Sequence, residues 1–146
     1  MAVRPLHVWL VDDDASIRWV LERALKQSGM LAKAFEHADA ALEALRTEAP
    51  DVLITDIRMP GNSGLELLQE IHESRPRLPV IVMTAHSDLD SAVSAYRGGA
   101  FEYLPKPFDV DHAVQLVRRA IDESRRQDEA PPPEEEAPEI LGQAPA

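Results

Sequence analysis

A chain of 146 residues with 45% hydrophobic content has room for one packed domain and a tail. It holds no cysteine, which excludes disulfides and thiolate metal sites, and its formal charge of −11 argues against direct nucleic-acid binding by this chain. Met1 to His7 lacks the pattern of a secretory signal and no apolar run approaches a membrane span, so a soluble cytoplasmic protein with no membrane partner is expected.

The first strand reads His7-Val8-Trp9-Leu10-Val11. The helix after it sets Ile17, Val20, Leu21, Ala24 and Leu25 on one face, and Gly29 stops it. A weaker strand, Leu31 to Phe35, precedes a helix that aligns Ala38, Ala41, Leu42 and Leu45 and ends at Pro50. Val52-Leu53-Ile54-Thr55 is the third strand and runs into Asp56. A loop with Pro60, Gly61 and Gly64 follows, then a helix burying Leu65, Leu68 and Ile71 before Pro76. Pro79 to Met83 is a near-continuous apolar run, as expected of a strand covered on both faces. The fourth helix spans roughly Leu89 to Arg97 and stops at Gly98-Gly99. The fifth strand, Glu102 to Leu104, meets Pro105-Lys106-Pro107, and the last helix aligns Ala113, Val114, Val117, Ala120 and Ile121.

The charge is unevenly spread. Residues 128–146 hold six acids, no Lys or Arg, and five of the 12 prolines, while the other 127 residues carry 20 acids against 15 bases. Repulsion and proline predict an extended linker over 128–138, with a domain over 5–127 that ends near Gln127.

Strands alternating with helices predict an α/β fold, a doubly wound parallel sheet with helices on both faces. Ligands of such sheets collect at the carboxyl ends of the strands, at the topological switch point. Asp12, Asp13 and Asp14 follow the first strand, Asp56 the third, Thr84 the fourth and Lys106 the fifth. One Asp is enough to cap the first helix, and Asp14 is placed for it. Asp12 and Asp13 beside Asp56 would repel one another without a counter-ion, and clustered carboxylates suit Mg²⁺. Alone, Thr84 reads as an ordinary β-branched strand residue and Lys106 as a surface cation.

Together, Asp12-Asp13, the string Asp56-Ile57-Arg58-Met59-Pro60-Gly61-Asn62-Ser63-Gly64, Thr84-Ala85 and Lys106-Pro107 resemble the receiver domains of two-component response regulators. The resemblance covers residues 5 to 127 and implies a five-stranded sheet in the order 2-1-3-4-5. It implies that Asp56 takes a phosphoryl group from the phosphohistidine of a sensor histidine kinase. Mg²⁺ would be held by Asp13, Asp56 and the Arg58 backbone carbonyl, with Asp12 acting through water. Lys106 would pair with the phosphoryl oxygens, aimed inward by a cis Lys106-Pro107 bond, and Thr84 would offer its hydroxyl. Such a domain catalyses only its own phosphorylation and dephosphorylation. Tyr103 matches the family's aromatic switch position. The fourth helix, short and rich in Ser, is the candidate element of transmission, with Leu89, Ala92, Val93 and Tyr96 forming either core or a switchable face.

Longer strings narrow the resemblance. Trp9 to Asp14, Ser16 to Ala24, Met83 to Asp90 and Ala100 to Asp109 are similar to NtrC-type nitrogen-regulation proteins. Glu139 to Ala146 resembles the opening of the AAA+ ATPase domain that follows the linker in that family, so the chain is expected to be a fragment. The resemblance implies, for the full-length protein, an ATPase acting on sigma-54 RNA polymerase and a helix-turn-helix domain binding DNA. It leaves open a receiver–receiver dimer. Ser63 departs from the Asp often found in close relatives. A freestanding chemotaxis-type receiver is the alternative within signalling. An aspartate-nucleophile phosphatase usually carries a second Asp two residues after its nucleophile, where this chain has Arg58. A flavodoxin-like FMN protein would find its phosphate repelled by the three acids.

Overall fold

Strands buried on both faces send alternate side chains to opposite sides, and here each side meets its own set of helices. The structure is a computed structural model that describes residues 6–58, 64–85 and 88–129. Parallel strands β1 (His7–Val11), β2 (Leu31–Phe35), β3 (Val52–Asp56), β4 (Val80–Ala85) and β5 (Glu102–Lys106) form one sheet in the order β2-β1-β3-β4-β5, as expected. Between and after them lie α1 (Ala15–Gln27), α2 (Ala38–Leu45), α3 (Gly64–Ser74), α4 (Leu89–Arg97) and α5 (Val110–Glu129).

Val8, Leu10, Ile54 and Met83 point to one side, where they pack with Leu21 and Leu25 of α1 and with Leu116, Val117 and Ile121 of α5. Trp9, Val11, Leu53 and Val82 point to the other, against Leu45 of α2, Leu67 and Ile71 of α3 and Ala95 of α4. Both cores draw on every interior strand, so the sheet is held as a slab between two helical layers. The chain steps outward from β1 to β2 and then back across it to β3. That reversal opens a crevice at the carboxyl ends of β1 and β3, where Asp12 and Asp56 sit.

Several boundaries differ from the sequence expectation. Gly64 opens α3 instead of belonging to the loop, and Gly64, Leu67, Leu68 and Ile71 are its buried residues, with Leu65 only half-buried. Those four positions follow the i, i+3, i+4, i+7 stripe once the helix starts at Gly64. β4 runs on to Ala85, and Pro79 contributes its carbonyl to Leu53 N–H at 3.1 Å from outside the strand. β5 passes through Pro105 to Lys106, which an edge strand tolerates because only one of its sides is paired. Helix α5 continues to Glu129, two residues into the stretch read as linker. The expectations for Met59 to Ser63, for His86 and Ser87, and for the linker and ATPase-like segment beyond Glu129 lie outside the described residues. Among the described residues no helix is long and apolar enough to cross a membrane.

Candidate functional site

Asp12 leaves the end of β1 fully buried. Its N–H still donates to the Phe35 carbonyl at 3.1 Å, and its Oδ1 accepts the Asp14 N–H at 2.9 Å. Its Oδ2 accepts from Lys106 Nζ at 3.0 Å. Asp14 caps α1 by accepting the Ser16 N–H at 2.8 Å, the role read for it from sequence. Asp56 closes β3 with 8% of its surface exposed. One carboxylate oxygen each from Asp12, Asp13 and Asp56 lies within 4.8 Å of the others. Lys106 Nζ also stands 3.5 Å from Asp56 Oδ2.

Three carboxylates around one ammonium leave an excess of negative charge in a partly buried crevice. A second cation would relieve it, and an all-oxygen donor set suits a hard divalent ion. The acid cluster thus has the composition and spacing to bind a metal. Burial pushes the Asp56 carboxyl above its ordinary pKa; Lys106 pulls it back, and the Asp12 charge raises it further. Burial alone would lower Lys106. The hydrogen bond from Lys106 to Asp12 and the charges of Asp12 and Asp56 outweigh it, and its pKa is raised. Lys106 therefore stays a cation, and Asp56 resists ionisation until a further positive charge arrives.

Thr84 is buried near the end of β4. Asp56 is level with Met83 in the sheet, and Ala85 is level with Lys106, so Thr84 lies on the strand between them at the same end. Its hydroxyl donates to the Ala85 carbonyl at 3.1 Å. The Lys106-Pro107 bond is cis. The Arg58 N–H donates to the Asp56 carboxylate. The Arg58 side chain turns outward, with Nε and Nη2 each 2.9 Å from Asp88 Oδ2. Asp88 in turn caps α4, accepting the Ser91 N–H at 3.3 Å. Its pKa is lowered, first by the Ser91 hydrogen bond and then by Arg58.

The α4 stripe divides. Ala92 joins the core together with Ala95, whereas Leu89, Val93 and Tyr96 are exposed at 66%, 41% and 44%. Tyr103 is half-buried in β5, its ring edge-on to Tyr96 with centroids 5.7 Å apart. The Tyr96 hydroxyl donates to Glu102, which also pairs with Arg119 of α5 at 3.8 Å.

Two contacts at the site escaped the sequence reading. Gly64 N–H donates to the Ile57 carbonyl at 2.8 Å, and a Cβ there would stand 2.1 Å from the Asp56 carbonyl oxygen. Arg18 of α1 reaches back to the Asp12 carbonyl at 2.6 Å. Glycine among several loop glycines and an arginine inside an amphipathic helix carry no signal of such long-range approaches.

Comparison with known proteins agrees with the geometry. The family model described as the response regulator receiver domain matches residues 8–118. The DNA-binding transcriptional regulator NtrC of Proteus hauseri is 57% identical over 143 residues, which cover 96% of this chain and 30% of that protein. The chain thus spans under a third of the length of that relative. The solution structure of the apo receiver domain of nitrogen regulatory protein C is 62% identical with a TM-score of 0.74, covering 81% of this chain and 95% of that one. Its BeF3-activated form is 60% identical with a TM-score of 0.72, covering 83% and 98%. A family match across most of the sheet, joined to an acid cluster at its switch point, leads to one assignment: this chain belongs to the response regulator receiver domain family, a family of signalling domains.

Proposed function

We propose that Asp56 is the phosphoacceptor of this receiver and takes its phosphoryl group from the phosphohistidine of a sensor kinase. The observation that carries this reading is the Asp56 carboxylate at the mouth of the acid cluster, with Lys106 Nζ 3.5 Å away. An Asp56 oxygen attacks phosphorus, the P–N bond to the kinase imidazole breaks, and the imidazole nitrogen keeps the electron pair. Mg²⁺ bound by Asp13, Asp56 and the Arg58 backbone carbonyl, with Asp12 through water, would offset charge on the carboxylates and the phosphoryl oxygens. Lys106 supplies a second, mobile cation and holds Asp12 meanwhile. Thr84 at the adjacent strand end is placed to turn its hydroxyl from Ala85 to the phosphoryl group. In dephosphorylation water attacks phosphorus, the P–O bond to the Asp56 oxygen breaks, inorganic phosphate leaves and the carboxylate is restored. The protein's share is positioning and charge neutralisation.

Intact-mass analysis after incubation with acetyl phosphate and Mg²⁺ tests the acceptor. One phosphoryl adduct is expected on the wild type, none with chelator and none on Asp56→Asn; an adduct on Asp56→Asn would sink the assignment. For the metal, Asp13→Ala is expected to weaken Mg²⁺ binding by about 10-fold or more, read by titration calorimetry. Unchanged affinity would move the metal elsewhere.

Transmission runs through α4, whose exposed Leu89, Val93 and Tyr96 form an apolar face beside Tyr103. Asp88 caps this helix while held by Arg58, two residues from Asp56, so a change in the pocket reaches the start of α4. The α4 amides are expected to exchange with solvent at a different rate in the presence of a phosphate mimic. Identical exchange would remove α4 from the mechanism.

The proposed output rests on the resemblance of the longer sequence strings, and the name of a relative supports its DNA-binding, transcriptional character. Residues 5–127 form the receiver, 128–138 link it onward, and 139–146 begin an AAA+ ATPase that acts on sigma-54 RNA polymerase, with a helix-turn-helix domain binding DNA. Nitrogen regulation in the cytoplasm is the process this assigns, supported by the name of the nitrogen regulatory protein C receiver, which covers 81% of this chain at 62% identity.

A further inference from the structure

We infer that Arg18 is a positioning residue for the metal site, acting on the Asp12-Asp13 acid pair through the Asp12 backbone carbonyl. This inference rests on the proposed Mg²⁺ site. Asp12 is held at every polar atom: its N–H by the Phe35 carbonyl, Oδ1 by the Asp14 N–H and Oδ2 by Lys106. The remaining group, its carbonyl, accepts from Arg18 Nη1 at 2.6 Å. That carbonyl belongs to the peptide plane joining Asp12 to Asp13, and a peptide unit is planar. Fixing its oxygen fixes the direction in which the chain enters Asp13. The Asp13 backbone is thereby set where its exposed carboxylate can lie near Asp56, as it does here.

The physical character of the contact supports this. The Arg18 side chain is 16% exposed, so its charge-assisted hydrogen bond is shielded from water. Its other neighbour, Glu36, is 3.9 Å away and 65% exposed, a pair worth little. Arg18 also sets a fixed positive charge near the acid cluster. Charge alone would repel Mg²⁺ and weaken binding, whereas orientation strengthens it. The two roles predict opposite signs when the guanidinium is removed.

The experiment is Mg²⁺ titration by calorimetry on the full chain, comparing wild type with Arg18→Met and Arg18→Lys, with adduct formation from acetyl phosphate followed against Mg²⁺ concentration. Arg18→Met is expected to weaken Mg²⁺ by about tenfold. The phosphorylation rate at saturating Mg²⁺ should stay within about twofold, because the reacting groups themselves are intact. Arg18→Lys, which keeps a donor of shorter reach, is expected to recover part of the affinity. Unchanged or tighter Mg²⁺ binding by Arg18→Met would overturn the inference, as would a fall in the saturated rate with affinity preserved. If circular dichroism shows Arg18→Met unfolded, Arg18→Lys decides: a loss of at least about twofold in Mg²⁺ affinity supports the role and wild-type affinity overturns it. Wild-type protein that binds no Mg²⁺ would instead overturn the metal site itself.

Discussion

Gly64→Ala is expected to lower the stability of the domain by about 3 kcal/mol or more, and the melting temperature by at least about 10 °C. The new methyl group would lie 2.1 Å from the Asp56 carbonyl oxygen and 2.7 Å from Ile57 Cα. Neither obstacle is the tip of a flexible side chain, so one stretch of backbone must move. The first turn of α3 is tied there by the Gly64 N–H to the Ile57 carbonyl, and Leu67 and Leu68 anchor the next turn in the core. Relaxation would therefore fall on Asp56 and Ile57. Slower phosphoryl uptake should accompany the lost stability. Gly98→Ala makes the control: its added methyl meets the Leu68 side chain at 3.2 Å, which can yield, and a cost of under about 1 kcal/mol is expected. Thermal melts of the two variants decide the matter; equal losses would mean that the approach of α3 to β3 is not tight.

Asp56→Asn is expected to stabilise the unphosphorylated protein at neutral pH while abolishing the adduct. Burial raises the Asp56 pKa above its ordinary value of 3.8, and the charge of Asp12 adds to it against the pull of Lys106. Between the unfolded and folded pKa values the folded chain binds more protons. Stability from this group is therefore full below 3.8 and is lost as pH rises through the folded pKa. At neutral pH the ionised carboxylate is a net cost, which asparagine removes with little change of shape. Discounted for water reaching the open side of the cluster, the gain is about 1 kcal/mol, or about 4 °C in melting temperature. The gain should shrink near the ordinary pKa and on adding Mg²⁺. Melts with chelator at neutral and acid pH measure it, and a variant less stable than wild type at neutral pH would contradict the strain assigned to the cluster.

The residues that revealed themselves in the sequence did so through local pattern. Val8 to Val11 and Val80 to Met83 are apolar at both parities, which marks strands buried on two faces. Asp12, Asp13, Asp56, Thr84 and Lys106 could be placed together because a parallel sheet puts all its strand ends on one side, and the structure gathers them there. What stayed hidden depends on distance across the fold. The buried face of α3 shifted from Leu65 to Leu67 because the start of the helix at Gly64 is fixed by contact with β3, not by its own composition. In α4 a single apolar stripe served two surfaces, and only the packing of Ala92 and Ala95 separates them from Leu89 and Val93. The Arg58–Asp88 pair joins residues 30 positions apart, beyond the reach of any periodicity.

Ile121 is the last buried residue of α5 among those whose burial is described, and the helix continues to Glu129. Over those two further turns the helix acts as a dial: each residue advances the chain by about 1.5 Å and turns it by about 100°. The azimuth of the helix end at Glu129 is therefore counted from Ile121. Inserting one residue between them would turn the helix end by about 100°, while inserting seven would bring it back almost to phase about two pitches farther out. A signal handed on through this helix would be sensitive to angle before it is sensitive to length.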